Sequence, residues 1–181
     1  MSPFLKKLTL LKFIGLFSVI RFYNIVLLAI AQVLCSVYFF SSDNDIDSVI
    51  FDNNIWFIII STATSISAGY IINNFYDLDK DLINRPLKTI IEEKVSTKTK
   101  MIVYIFLNFV CLIFAMFVSS RAFFFFLFYI ISIFIYCIKI SKHPFVGNLL
   151  SVLLSIMPFF AVTLYYKNFT EEIFFHAFYL F

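Results

Sequence analysis

Apolar residues occur along this chain in long runs that short polar segments interrupt. A helix needs about 20 mainly apolar residues to cross a bilayer, and five runs reach that length: 20–40, 55–73, 101–118, 122–140 and 145–166. A sixth run begins at Ile173 and is still apolar at Phe181. Strands of a membrane barrel alternate apolar and polar residues, whereas stretches such as Phe123–Phe126 do not. The pattern predicts an all-α, polytopic transmembrane helix bundle of about five spans plus a truncated sixth.

The composition supports a membrane location. Of the 181 residues, 62% are apolar and 14% are charged, against about 45–50% and about 25% in soluble domains. These values exclude a soluble globular protein, and the apolar content excludes a disordered one. Residues 1–19 carry three lysines among Leu and Phe without a signal-peptide cleavage site, which predicts a juxtamembrane amphipathic segment. We expect residues 1–181 to form a single membrane domain that is incomplete at its C-terminus.

The basic residues predict the orientation in the membrane. With the N-terminus inside, only Arg121 and Lys167 of the 14 Lys and Arg fall on the outer side. The first outer loop is acidic, with Asp43, Asp45 and Asp47. Because cytoplasmic loops of membrane proteins are rich in Lys and Arg, we expect a cytoplasmic N-terminus, in the inner membrane if the protein is bacterial. The net charge of +3 then reflects topology, and no nucleic-acid partner is expected.

The longest polar segment, residues 73–100, lies between the second and third spans and is predicted to be a cytoplasmic loop. The second span enters it without Gly or Pro, so we expect its helix to continue to about Asp81. Pro86 disfavours helix at the preceding residue and predicts a stop nearby. Residues four apart share one face of a helix, so Asn73, Asp77 and Asp81 form one stripe, with Asn74 on its flank.

This polar stripe has the chemistry of a magnesium–phosphate site. Mg²⁺ prefers oxygen ligands and binds one or two carboxylates together with substrate phosphates, which Asp77 and Asp81 are able to supply. Asn73 and Asn74 offer neutral oxygens at the depth where the neighbouring isoleucines are still membrane residues. Polar groups at that depth are candidates for function. The alternative is a helix end that is simply hydrated, and spacing alone leaves both interpretations open.

The segment NNFYDLDKDLINRP, residues 73–86, resembles the first aspartate motif of the UbiA family of intramembrane prenyltransferases. The family form is NDxxDxxxD, often followed by RP, and Asn74 replaces its first aspartate. Three further segments occur in the family order: the pair Arg21 and Asn24 with Gln32, then Tyr136-Cys-Ile-Lys139, then Gly147-Asn148. Together these segments cover essentially the whole chain, which makes the resemblance specific.

The resemblance implies the N-terminal part of a nine-helix bundle that transfers an isoprenyl group from a prenyl diphosphate to an acceptor within the membrane. It implies Mg²⁺ as cofactor, held by Asp77 and Asp81 with Asn73 and Asn74 as auxiliary ligands. By the same analogy, Arg85 and Lys139 are expected to contact the diphosphate, and Tyr136 to lie beside the diphosphate or the carbocation. Asn24 and Asn148 are expected as polar groups inside the cavity. The expected partners are a prenyl diphosphate donor and membrane lipid, and the sequence does not identify the acceptor.

The second aspartate motif of the family has no counterpart in the sequence, since no Asp follows Asp81. We therefore expect this chain to need further C-terminal helices for activity. The alternative interpretation is an inactive remnant of such an enzyme or a non-catalytic membrane scaffold.

Overall fold

The computed structural model of the chain describes residues 3–40 and 46–166, and all regular secondary structure within these ranges is helical. The α-helices are α1 (Pro3–Val19), α2 (Phe22–Cys35), α3 (Ile46–Ile50), α4 (Asn53–Tyr76), α5 (Leu78–Asn84), α6 (Pro86–Glu92), α7 (Thr97–Val118), α8 (Ser120–Ile138) and α9 (Pro144–Tyr166). The all-α fold predicted from the sequence is confirmed. The predicted sixth run and Lys167 lie outside the described residues, as do Asp43 and Asp45.

Four helices are long and apolar enough to cross a membrane, namely α4, α7, α8 and α9. A fifth candidate span combines Leu11–Val19 with Phe22–Tyr38, two segments that meet at an angle of 49°. The protein is therefore a multi-pass integral membrane protein. This candidate span begins earlier than the predicted 20–40 run. The chain bends at Arg21, whose backbone is left-handed with φ 51° and ψ 51°.

Helix α4 forms the centre of the bundle and packs mainly against α7 and α8. Its buried face is rich in small residues such as Ser61, Ser65 and Ala68, which let membrane helices approach closely. The Ser61 hydroxyl donates to the carbonyl oxygen of Cys111 in α7 at 3.1 Å. A Cβ atom at Gly69 would lie 2.8 Å from Cγ2 of Ile133 in α8. Glycine at this position permits the close contact of α4 with α8.

The helix that carries the aspartate motif breaks at Asp77, so the prediction of a continuous helix to Asp81 is wrong. Asp77 has φ −103° and ψ 10°, ends α4 and precedes the first residue of α5. Short polar residues such as Asp favour helix ends because their side chains compete for backbone hydrogen bonds. The Asp77 amide still donates to the Asn73 carbonyl at 3.0 Å, and the Asp81 amide donates to the Asp77 carbonyl at 2.9 Å. The break therefore keeps the four-residue hydrogen-bond spacing of the helix.

Pro86 ends α5 as the sequence predicts. Arg85 has φ −145° and ψ 57°, and Pro86 begins α6, where its missing amide hydrogen costs no helical bond. Helix α6 then packs against α1. A Cβ atom at Gly15 would lie 2.7 Å from the Ile91 carbonyl oxygen, so glycine allows the two backbones to approach. The contact brings the polar segment 73–100 against the N-terminal helix, whose position at the membrane surface stays a prediction.

Candidate functional site

A cavity of about 440 Å³ lies between α2, α4, α8 and α9, beside the start of the aspartate motif. The polar residues in its wall include Arg21, Asn24, Asn73, Asp77 and Tyr136. Its apolar wall includes Leu28, Ile66, Ile133 and Leu154.

Polar and apolar parts of this cavity are separated along α4. Ile66 and Asp77 lie eleven positions apart, and a helical rise of 1.5 Å per residue places them about 16 Å from each other along the axis. Asn73 and Asp77 lie at the end of α4 where the helix breaks, whereas Ile66 lies further into the span. The cavity therefore offers charge and hydrogen bonds at one end and a hydrocarbon surface at the other.

Arg21 belongs to this site. In the sequence it is part of a segment that resembles the family, but no role was predicted for it. Its guanidinium lies 4.8 Å from the centroid of the Tyr70 ring, a distance typical of a cation–π contact. The Asn24 amide nitrogen is 3.4 Å from the Tyr70 hydroxyl and donates to it. Left-handed backbone at a residue other than Gly, Asn or Asp is unfavourable and often marks a functional position. The bend at Arg21 turns these side chains toward α4.

Asp81 lines a different and much smaller cavity, of about 10 Å³. Asn74, Lys88 and Glu92 share its wall. Arg21, Tyr70 and Asn73 line both cavities, so they lie between the surroundings of Asp77 and those of Asp81.

Glu92 and Lys100 are buried polar residues that the sequence analysis did not assign to the site. The two residues are 4% and 6% exposed. Asn74 lies between them, and it donates to Glu92 and accepts from Lys100. One sequence signal was present, since Glu92 and Lys100 fall in the same polar segment as the aspartate motif. Because most charges there are exposed, that signal did not single out these two residues.

Several predicted site residues are not brought to either cavity. Arg85, Lys139 and Asn148 are exposed, and neither cavity has them in its wall. Arg85 lies between α5 and α6, Lys139 follows the last residue of α8, and Asn148 is in the first turns of α9. Asn24 and Tyr136 do line the larger cavity.

The oxygen-bearing side chains of the motif suit a magnesium ion whose remaining coordination positions are filled by substrate oxygens. Among residues 3–40 and 46–166, no group of three or more His, Cys, Asp and Glu side chains is placed to hold a metal ion. Asp77, Asp81 and the Asn73 amide offer three side chains, which supply three protein oxygens when each binds through a single oxygen. This number suits Mg²⁺, which commonly keeps water and takes further oxygens from substrate phosphates. The residues fit a metal bound together with a diphosphate rather than a closed metal cage.

Comparison with known proteins finds one family and two curated relatives. The sequence model of the UbiA prenyltransferase family matches residues 29–181. Digeranylgeranylglyceryl phosphate synthase of Thermococcus gammatolerans is 32% identical over 93 residues, which are 51% of this chain and 33% of that protein. The protein of the same name from Pyrococcus horikoshii is 28% identical over 138 residues, 76% of this chain and 48% of that protein. The chain thus spans less than half the length of these curated relatives. No solved structure matches the chain.

Proposed function

Because this chain belongs to the UbiA prenyltransferase family, we propose that it binds an isoprenyl diphosphate in the 440 Å³ cavity for prenyl transfer to an acceptor within the membrane. The observation that carries the proposal is the polarity of that cavity, with Asp77 and Asn73 at one end and Ile66 and Leu28 further in. An isoprenyl diphosphate has the same division, a charged head on a hydrocarbon chain. Burial of the chain against these walls removes apolar surface from water.

Asp77 and Asp81 are the proposed Mg²⁺ ligands, with Asn73 as an auxiliary ligand. The ion, when bound, neutralises charge that develops on the leaving diphosphate. Asn73 lines both cavities, so its amide is placed to contact a head group that reaches from one carboxylate to the other. The two carboxylates repel a bare diphosphate, and binding of the donor is therefore expected to require the cation.

Basic side chains supply the remaining charge for the diphosphate in this proposal. Arg21 already lines the cavity, and its planar guanidinium is suited to bidentate phosphate contacts. Arg85 and Lys139 are exposed, and their long side chains are proposed to turn toward the head group when it is present. Asn148 is proposed as a polar contact near the first turns of α9.

In the proposed reaction, the bond between C1 of the isoprenyl chain and the diphosphate oxygen breaks, and its electron pair leaves with the diphosphate. An electron-rich atom of the acceptor forms the new bond to C1 and loses its proton. The chain holds the head group at Asp77, and the apolar side chains Leu28, Ile133 and Leu154 shield the other end of the cavity from water. Tyr136 and Asn24 contribute polar atoms to the same wall and are proposed to orient the head group.

The donor to test first is geranylgeranyl diphosphate, since two relatives are named digeranylgeranylglyceryl phosphate synthase. We propose binding of labelled geranylgeranyl diphosphate to the full chain in lipid nanodiscs, with and without Mg²⁺. The expected result is Mg²⁺-dependent binding that Asp77→Asn and Asp81→Asn each weaken at least about tenfold, the effect of losing a charged contact of about 1.4 kcal/mol.

Glu93→Gln is the matched control, because Glu93 is an exposed carboxylate of the same polar segment. It is expected to bind like the unmodified chain. Unchanged binding in the Asp77→Asn, Asp81→Asn double variant, or no binding in the unmodified chain, would overturn the proposal and favour a non-catalytic scaffold or an inactive remnant.

A further inference from the structure

Both halves of the Asn74 amide are engaged within the protein. Its nitrogen Nδ2 donates to Oε2 of Glu92 at 2.9 Å, and its oxygen Oδ1 accepts from Nζ of Lys100 at 2.7 Å. The residue is 6% exposed. Asn74 therefore lies between a carboxylate and an ammonium group. If either group moved away, a buried polar atom of Asn74 would lose its hydrogen-bond partner.

The same carboxylate joins further elements of the fold. Oε1 of Glu92 accepts from the Ser18 hydroxyl at 2.7 Å and lies 3.5 Å from Nζ of Lys88. Ser18 belongs to α1, Asn74 to α4, Glu92 to α6 and Lys100 to α7. Buried charges are costly unless they are paired and hydrogen-bonded. Ser18, Lys88 and Asn74 together offset the cost of burying the Glu92 charge, and Asn74 also binds the buried ammonium group of Lys100.

The cluster borders the candidate metal ligands. Asn74 and Glu92 line the small cavity together with Asn73 and Asp81. Asn74 follows Asn73 directly in α4, while Glu92 ends the α6 helix that follows the aspartate motif. Contacts at Asn74 and Glu92 therefore fix the two ends of the segment in which Asp77 and Asp81 lie.

We propose that Asn74, Glu92 and Lys100 form a charged brace that positions Asn73, Asp77 and Asp81 for the diphosphate, and that Asn74 itself holds no metal. The proposal rests on the proposed function and replaces the expectation that Asn74 is an auxiliary ligand. A Mg²⁺ ion on the Asn74 oxygen would lie a few ångströms from the Lys100 ammonium, where like charges repel strongly in a buried site. Asn74, Glu92 and Lys100 are positioning residues, since they touch one another rather than the substrate.

The brace also gives a reason for asparagine at position 74. An aspartate there would have no hydrogen to donate to Glu92 and would place a second carboxylate at hydrogen-bond distance from it. Two carboxylates sharing one site disfavour the charged form of both. Combining Asn74→Asp with Glu92→Gln keeps the net charge but exchanges the two roles. The N–H donor of the pair then stands at position 92, and a carboxylate at position 74 accepts from Lys100.

The proposal is tested with the full chain in nanodiscs, by the Mg²⁺ concentration that gives half-maximal binding of geranylgeranyl diphosphate. We expect Asn74→Asp to raise this concentration at least about fivefold. The Asn74→Asp, Glu92→Gln double variant should return it to within about twofold of the value for the unmodified chain. If Asn74 were a metal ligand, Asn74→Asp would add a carboxylate ligand and lower the concentration, whatever residue stands at 92. That result, or failure of the double variant to rescue, would overturn the brace.

A second measurement tests the brace in the ligand-free protein. Backbone hydrogen exchange of residues 78–92 is expected to rise at least about tenfold in Glu92→Gln and in Lys100→Gln. The exposed neighbours Glu93 and Lys98 supply the matched controls Glu93→Gln and Lys98→Gln, which should leave exchange unchanged. Unaltered exchange in Glu92→Gln and Lys100→Gln would overturn the brace. If the unmodified chain bound no prenyl diphosphate, the proposed function would fail, while hydrogen exchange would still decide whether the brace holds this segment.

Discussion

The hydroxyl of Tyr129 in α8 donates to the carbonyl oxygen of Leu154 in α9 at 3.1 Å. Pro158 lies four residues after Leu154 within α9, and proline has no amide hydrogen to offer to that carbonyl. Tyr129 therefore replaces the helical hydrogen bond that Pro158 removes. Both Tyr129 and Leu154 line the 440 Å³ cavity, so this bond joins two of its walls.

We expect Tyr129→Phe to lower the free energy of unfolding by about 1 kcal/mol, because it leaves a buried carbonyl without a donor. The measurement is a denaturant titration of the protein in bicelles followed by tryptophan fluorescence. Tyr23→Phe is the control, since Tyr23 is 72% exposed and should change stability little. Equal stability of both variants would contradict the role given to Tyr129.

The strained backbone at Arg21 predicts an order of stability between two variants. Arg21→Asn and Arg21→Val both remove the guanidinium, but Asn tolerates left-handed backbone and β-branched Val does not. We expect the Val variant to be less stable by about 1–2 kcal/mol in the same titration. Both should weaken binding of geranylgeranyl diphosphate if Arg21 contacts its head group. A Val variant as stable as the Asn variant would show that φ at this position relaxes freely.

The opposite end of the bundle is held by Tyr165 of α9, whose hydroxyl donates to Oδ2 of Asp52 at 2.6 Å. The other oxygen of Asp52, Oδ1, accepts from the backbone N–H of Asn54 and caps the N-terminus of α4. Tyr165→Phe should cost about 1.5 kcal/mol, as is usual for a hydrogen bond to a charged group. Asp52 and Asp77 are 25 positions apart, about 37 Å along a helix, so diphosphate binding should not change. If Tyr165→Phe weakened diphosphate binding as well as lowering stability, the two ends of the bundle would not be independent.

The orientation proposed from the charge pattern, with the polar segment 73–100 in the cytoplasm, is tested by labelling. Lys98→Cys and Asp47→Cys are introduced separately into a chain whose own cysteines have been replaced by alanine. An impermeant maleimide applied to intact cells is expected to modify the Asp47→Cys protein and to reach the Lys98→Cys protein only after permeabilisation. Both positions are exposed at the protein surface, so the side of the membrane decides which one is labelled. The reverse labelling pattern would show the opposite orientation.

The sequence by itself determined the features that depend on local chemistry. The length of an apolar run decides whether a segment can span a bilayer, and the runs ending in Asn73 and at 118, 140 and 166 match helices of the structure closely. The stop at Pro86 follows from the geometry of proline alone. The aspartate motif was likewise visible, since two carboxylates at a span's end need no knowledge of the rest of the fold.

Only the tertiary structure decided how these groups meet. Glu92 bonds to Ser18, 74 positions away, because α6 packs against α1 at Gly15, and no local pattern reports such a contact. The break at Asp77 and the left-handed Arg21 are backbone conformations that the pattern of apolar and polar residues does not specify. They place Asp77 and Asp81 in two cavities rather than on one straight stripe. Buried charges are stable only with their partners, and the contacts among Ser18, Asn74, Glu92 and Lys100 form only once four helices have come together.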